Sequence, residues 1–593
     1  MNYMTIRMNI IRFFLITVFS CLLLSCSNKQ EGSVKEVMDN KISELYRTFS
    51  QKELLSLDYD KVYSMFTPAE KEILATRHWM FDVNVPVIVS VMRSTEQKIT
   101  PFWLAEKGFT RTGLTMKNEQ TTYEVWQKPF PAGRVGLGVN GFENYPLHYF
   151  VSVAPQKSGD SLKLNNFFPA TQFAGRLENG AFTYHDWDEL VLFDVPDPMK
   201  GQQLLTTIRG RGVESQLTGA FRTTAWPSSG KPDQVMLTWS SDPATGIDIQ
   251  WRTDTTVTTG KVRYREAGSG EERSATAELF RMDDRVLAND RIVNRFTARL
   301  RGLLPGKTYE YCIAPQNGYS ADQTFSTPSA DSSFTFIWFG DTHHSPDFGR
   351  LIQAAGNRHP ETAFFSIAGD IVSDGLHRDQ WDDIFDYAAG IVSGKPLMVV
   401  PGNHDNRSGL GAHMFRELFS YPMNAPPGVE KEQTYSFRYK NALFLMIDAT
   451  SPIDAQTPWI EDQLAGTNAK WKFAMFHFPP YSSDGGYPEI RQKWCSIFDK
   501  YHVDMVMSGH VHNYLRTKPM NGQKVVSSPA GGTIYLVSIA IPDNDPQPRL
   551  PYADAQVSGE MLYQTVSVTG KVLQYKSMNI NGKVRDKMTI VKK

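Results

Sequence analysis

Along the chain the pattern of apolar and polar positions changes character several times. Over residues 34–79 apolar positions recur at helical spacing. Within that stretch Thr67-Pro68-Ala69-Glu70 predicts a helix start: a hydroxyl to cap, a proline suited to the first turn, and a carboxylate that reaches back to the cap. Over residues 84–222 the pattern becomes short alternating runs broken by Gly, Pro and Asn, as in residues 85–91 and 147–153, which predicts a β-rich region. A turn-rich cluster at residues 226–232 follows. Strand signals then recur at residues 234–239, 246–252, 260–265, 295–300, 304–311 and 323–325, the spacing of a small antiparallel sandwich. From Phe334 onward apolar runs at residues 334–339, 363–368 and 397–400 alternate with helical patterns near residues 348–358 and 377–391. That is α/β texture, in which ligands fall at the carboxyl ends of strands.

The boundaries expected from these changes are 26–83 for a helical N-terminal segment, 84–222 for a β-rich domain, 223–328 for the sandwich and 329–593 for the α/β domain. A chain of 593 residues is too long for one hydrophobic core, which agrees with such a division. The formal net charge is −1 and no polybasic run occurs, which argues against nucleic acid as a partner.

The first residues predict a leader, not part of the fold. Arg7 and Arg12 precede an apolar run at residues 13–24, too short to span a bilayer and suited to a signal-peptide core. It ends in Leu23-Leu24-Ser25-Cys26, followed by polar Ser27-Asn28-Lys29. This resembles a bacterial lipobox, with residues 1–25 removed and Cys26 lipidated. The protein would then be a membrane-anchored lipoprotein outside the cytoplasm, in the periplasm or at the cell surface. The alternative is an ordinary secretory signal with an incidental cysteine. No later stretch has the length and apolarity of a transmembrane helix. Cys312 and Cys495 fall in different expected domains, so they predict two buried thiols and no disulfide framework.

Candidate chemistry clusters where strands end. The first apolar run leads into Gly340-Asp341-Thr342-His343, the second into Gly369-Asp370, the third into Gly402-Asn403-His404-Asp405. Later, residues 473–476 lead into His477, and residues 503–507 lead into Gly509-His510-Val511-His512. Carboxylate, imidazole and amide oxygen suit Zn, Fe and Mn, and rigid neighbouring strand ends hold such ligands to the tolerance a metal demands. Each motif alone is weak; five blocks in order, each after an apolar strand, are specific.

Order and spacing of these blocks resemble the calcineurin-like metallophosphoesterase superfamily, over most of the chain from Phe334 onward. The wording is most similar to purple acid phosphatases, in "GHVHNYLR", "TPWIEDQLAGTNAKWKFAMFHFPPY" and the tail "MLYQTVSVTGKVLQYKSMNINGKV". Upstream, "LTWSSDPATGIDIQWRT" and "GLLPGKTYEYCI" resemble the fibronectin-type-III-like domain that precedes the catalytic domain in that family. The resemblance implies a catalytic domain of two packed mixed β-sheets flanked by helices, after an all-β sandwich and a β-rich N-terminal region. It implies two divalent or mixed-valence metal ions, of Fe, Zn or Mn. One would take Asp341, His343, Asp370 and His512; the other Asp370, Asn403, His477 and His510, with Asp370 bridging. His404 would contact phosphate and protonate the leaving oxygen, with Asp374 as its orienting carboxylate. His344, beside His343, is expected to point away from the metals.

Two departures stand out. The position of the tyrosine that colours purple acid phosphatases is Ser373 here, and His343 is a histidine their first motif lacks. A purple protein is therefore not expected. The function implied is metal-dependent hydrolysis of a phosphate ester, a phosphomonoester first, by a metal-activated hydroxide. The alternatives are a phosphodiesterase or a sulfatase on the same site, or a surface binding protein that keeps the fold only as a scaffold.

Overall fold

The computed structural model describes residues 32–170, 172–186, 189–269, 271–314, 323–542 and 546–592. The expected leader and Cys26 lie outside the described residues. Among those described, no helix is long and apolar enough to cross a membrane.

Among the described residues, 32–185 and 189–220 form one compact unit. It opens with the helices Val34–Thr48, Gln51–Leu55, Tyr59–Ser64 and Pro68–Thr76. The last begins with the capping box its sequence predicts: Thr67 Oγ1 accepts the Glu70 N–H, and the Glu70 carboxylate accepts the Thr67 N–H at 2.8 Å. The helices then give way to sheet. Trp79–Val83 pairs antiparallel with Gly133–Leu137 and Leu164–Phe168. A seven-stranded sheet has Val87–Ser94 near its centre, between Phe150–Pro155 and Thr122–Phe130.

The second unit begins at Phe221 and contains both the sandwich and the α/β region. The sandwich is two antiparallel sheets of four strands. One carries Asp233–Thr238, Gly246–Thr253, Ile292–Arg301 and Glu278–Asp283; the other carries Arg273–Thr276, Lys261–Glu266, Thr308–Ile313 and Gln323–Ser326. Cys312 and Cys495 are both free and buried.

The α/β region packs two mixed sheets face to face. In the six-stranded sheet, Leu397–Val399, Thr362–Ile367 and Phe334–Phe339 run parallel, and three antiparallel strands between Leu562 and Val591 complete it. In the seven-stranded sheet, Ala442–Met446, Trp471–Met475, Met505–Ser508 and Ile534–Val537 run parallel. Phe334–Phe339 is buried at every position because both its faces are covered. Phe336 stacks on Phe364 and meets Phe444 of the opposite sheet edge-on, while Phe339 packs on Phe348 of the helix Pro346–Arg358. Each such ring, fully buried, contributes on the order of 1.5–3 kcal/mol. The carboxyl ends of both parallel sets meet at an isolated parallel bridge between Asp341 and Ile539.

The helix Arg378–Tyr387 is fastened to the sandwich by ion pairs. Arg252 Nη1 lies 2.8 Å from Asp382, Arg222 Nε 2.9 Å from Asp379, and Arg378 reaches both the carboxylate and the carbonyl of Asp290. Arg252, Arg378 and Asp382 are each at most 2% exposed, so breaking one pair would strand a buried charge.

Candidate metal centre

Five parallel strands deliver the candidate side chains to one place. Asp341 follows Phe334–Phe339, Asp370 follows Thr362–Ile367, Asn403 follows Leu397–Val399, His477 follows Trp471–Met475, and His510 and His512 follow Met505–Ser508. The turns need unusual backbone. His343, Asp370 and His510 adopt φ of 43°, 48° and 73°, left-handed conformations that cost a non-glycine residue about 1–3 kcal/mol each. Glycine is required beside two of them. A Cβ on Gly402 would sit 2.2 Å from Asp370 Oδ1, and one on Gly509 would sit 2.1 Å from Asp341 Oδ1.

All seven expected ligands come together. His343 Nε2 lies 3.3 Å from His512 Nε2, and these atoms lie 3.8 and 3.5 Å from Asp341 Oδ2. On the other side Asn403 Oδ1 lies 3.0 Å from His477 Nε2 and 3.1 Å from His510 Nδ1. Asp370 Oδ2 stands between the two groups, 4.0 Å from His343 Nε2 and 3.0 Å from His477 Nε2. Ligand atoms of Asp341, His343 and His512, and separately of Asp370, His477 and His510, all lie within 4.8 Å of one another.

Neighbouring groups aim these ligands. His477 Nδ1 donates to the Ala368 carbonyl at 2.9 Å, so its Nε2 faces the centre. Asp341 Oδ1 accepts the His510 N–H and Asp370 Oδ1 accepts the His404 N–H, both at 2.8 Å. Asp341 Oδ2 is buried with no hydrogen-bond partner. Such an atom is expensive to leave unpaired, and its position between two imidazoles fits a cation. The electrostatics agree. Burial disfavours the charged His477, yet Asp370 and Asp341 raise its pKa to about 9; burial and the neighbouring His477 lower His510 to about 4. Two buried carboxylates thus attract positive charge to this point, and the residues present fit a pair of metal ions.

His404 stands at the same focus, its ring edge-on to His343 at 4.9 Å between centroids. Its Nδ1 lies 2.8 Å from the Ser373 carbonyl oxygen. A carbonyl only accepts, so Nδ1 carries the proton of this bond. The expectation that Asp374 orients His404 is corrected here. Asp374 turns to the other side, accepting the Leu376 N–H at 3.0 Å and pairing with Arg407 at 3.4 Å and His377 at 3.7 Å. The carbonyl before it takes the orienting place. His344 turns away to Asp383 at 3.2 Å. Asn406 also leaves the centre, donating to Thr450.

Three residues with work at the centre carried no assignment in the sequence. Asp405 is buried and accepts the N–H groups of Ile371, Val372 and Gly402 at 3.0, 3.1 and 2.8 Å, tying two ligand turns together. Burial and the nearby Asp370 push its pKa up to about 7. Its only sequence signal is its place directly after His404. Tyr487 brings its hydroxyl 2.8 Å from His510 Nε2 and stacks on Phe478. Gln380 accepts the Ser373 and Asp374 N–H groups at 3.0 and 2.8 Å. Neither Tyr487 nor Gln380 lies in a strand-end motif.

Comparison with known proteins agrees with this geometry. Residues 334–514 match the calcineurin-like phosphoesterase family, and residues 232–327 match the purple acid phosphatase N-terminal domain. An uncharacterized protein of Mycobacterium tuberculosis is 25% identical over 331 residues, 48% of this chain and 62% of that protein. Purple acid phosphatase 21 of Arabidopsis thaliana is 25% identical over 236 residues, 37% of this chain and 53% of that protein. The chain therefore spans less than two thirds of the length of these relatives. A purple acid phosphatase from yellow lupin (Lupinus luteus) seeds shares the fold, with a TM-score of 0.54 at 15% identity over 88% of this chain and 91% of that one.

Proposed function

We propose that this protein is a dinuclear metallohydrolase of phosphate esters, acting first on phosphomonoesters. The observation that carries the reading is the convergence of seven metal-capable side chains in two adjoining groups, one around the buried Asp341 Oδ2 and one around Asn403 Oδ1, with Asp370 Oδ2 between them. The phosphoesterase family match and the names of the plant relatives support the choice of reaction.

Asp341, His343, Asp370 and His512 would hold one ion and Asp370, Asn403, His477 and His510 the other. Metal ions held there would supply Lewis acidity toward the phosphoryl group and lower the pKa of water. The chain's own residues set the rest. Ala368 fixes the His477 tautomer, and Asp405 locks the turns bearing Asp370 and Asn403 in register. His404, with Nδ1–H spent on Ser373, would act as the imidazolium: Nε2 gives its proton to the departing ester oxygen and the ring is left neutral with Nδ1–H still on Ser373, help typically contributing about 10²–10⁴-fold in rate.

Purified protein with defined metals, tested on mono-, di- and sulfate esters, decides the substrate class. No turnover of any ester with two metals bound would leave only a binding role for the fold. His404→Ala should keep both metals while losing more activity on alkyl than on nitrophenyl phosphates, since a good leaving group needs little protonation. Equal loss on both would retire the acid role.

The location proposed is outside the cytoplasm, with the chain anchored through lipid on Cys26. The run ending in Leu23-Leu24-Ser25-Cys26 supports it. Mass spectrometry of the native N-terminus tests it, and an unmodified Cys26 would overturn it.

A further inference from the structure

The hydrogen-bond chain behind His404 does not end at Ser373. The Ser373 carbonyl is held in place through its own peptide, which bears the Asp374 N–H, and the preceding one, which bears the Ser373 N–H; these donate to a single side-chain oxygen, Gln380 Oε1, at 2.8 and 3.0 Å. The turn has a further constraint at Gly375. Its N–H donates to the His404 carbonyl at 2.8 Å, and a Cβ there would lie 2.0 Å from the Asp405 carbonyl oxygen. The turn therefore presses against the His404 loop with no side chain of its own between them. Asp374, the carboxylate next in the chain, takes no part in this arrangement, being committed to Leu376, Arg407 and His377.

Gln380 is rigidly mounted. It sits in the first turn of the helix Arg378–Tyr387, on whose neighbouring positions Arg378 holds Asp290 and Asp379 holds Arg222, both from the sandwich side. Arg378 also donates its backbone N–H to Asp284. The sandwich thus braces the helix end that carries Gln380.

We propose that Gln380 is a positioning residue for His404: its amide oxygen holds the residue 373–374 turn so that the Ser373 carbonyl captures His404 Nδ1–H and leaves Nε2 facing the metal centre. The kinetic consequence rests on the acid role of His404 proposed above, but the positioning itself can be read without turnover. Gln380→Leu removes the shared acceptor, whereas Gln380→Glu keeps an oxygen in its place.

The test follows histidine-labelled full-length protein with metals bound. In the wild type, the His404 Nδ1–H resonance should be visible and slowly exchanging, lost or broadened in Gln380→Leu and recovered in Gln380→Glu. Gln380→Leu should retain both metals and lose on the order of tenfold on an alkyl phosphate, less on nitrophenyl phosphate, within the ~10²–10⁴ that such an acid contributes. In a His404→Ala background the same substitution should add no further loss. An unchanged Nδ1–H resonance in Gln380→Leu, or a loss that adds fully to that of His404→Ala, overturns the proposal. A lost resonance in Gln380→Leu combined with equal losses on both esters in His404→Ala would keep the positioning and refute the acid role instead.

Discussion

Acid should weaken the N-terminal unit through a pair of buried histidines. His78 is 0% and His148 2% exposed, with Nε2 atoms 2.9 Å apart. His148 Nδ1 donates to the Tyr149 carbonyl, so its Nε2 accepts from His78, and a second proton on His148 would break the bond between the rings. Arg211 stands near both rings and opposes their charging; the Glu214 carboxylate, 3.8 Å from His78 Nδ1, is the nearby acid. Burial, with Arg211, lowers His148 from 6.5 to about 3 and moves His78 in the same direction. Folding therefore lowers the pKa, and the unfolded chain binds more protons between pH 6.5 and about 3. Stability is lost as pH falls through that window. At 1.36 kcal/mol per pKa unit, His148 alone accounts for a loss of about 2 kcal/mol between pH 7 and pH 5. Urea unfolding at the two pH values, in wild type and His148→Gln, measures it. The variant should start less stable at pH 7 but show a pH slope flatter by about that amount, because an amide does not titrate. A histidine proton resonance of His148 titrating near 6.5, or equal slopes in the two proteins, would refute the reasoning.

Asp370→Ala should be the most damaging ligand change, since Asp370 stands between both groups of ligands; elemental analysis after reconstitution should show loss of both ions, and retention of two would contradict the bridging assignment. The wild type should bind two ions with no tyrosinate–iron band, given Ser373. Tyr487→Phe removes the oxygen beside His510 Nε2 and should weaken one of the two ions by about 10–100-fold in a chelator competition, leaving the other unchanged. Asp405→Asn should lower the stability of the metal-free protein by about 1–3 kcal/mol in thermal unfolding, because one of its oxygens becomes an amide facing the N–H donors that now bind a carboxylate.

Several of these residues differ in how visible they are along the chain. The strand-end blocks can be read directly, because a buried strand must be apolar and whatever follows it at the carboxyl end stands out as polar. Asp341, Asp370, Asn403, His477, His510 and His512 all have that contrast. The capping box at Thr67 and Glu70 is equally local, since both partners lie within one turn. Tyr487 has no such contrast. It reaches His510 through a loop whose path depends on Arg491 binding the Pro480 carbonyl and on Gly486, where a Cβ would lie 2.5 Å from that same oxygen.

The case of His404 divides the two kinds of information most sharply. Composition and order alone determined that a histidine follows a metal-capable asparagine after a buried strand, and that an α/β region follows a sandwich. Periodicity and adjacency are properties of a linear chain, so they survive without coordinates. The partner of His404 was decided only by tertiary structure. The chain offers a carboxylate at Asp374, yet the turn places the Ser373 carbonyl against the ring and points Asp374 toward Arg407 and His377. Which of two adjacent groups meets a side chain depends on the backbone path of that turn. Here the path is held by Gln380 and by the close contact at Gly375, from helix and loop segments that the linear order does not bring together.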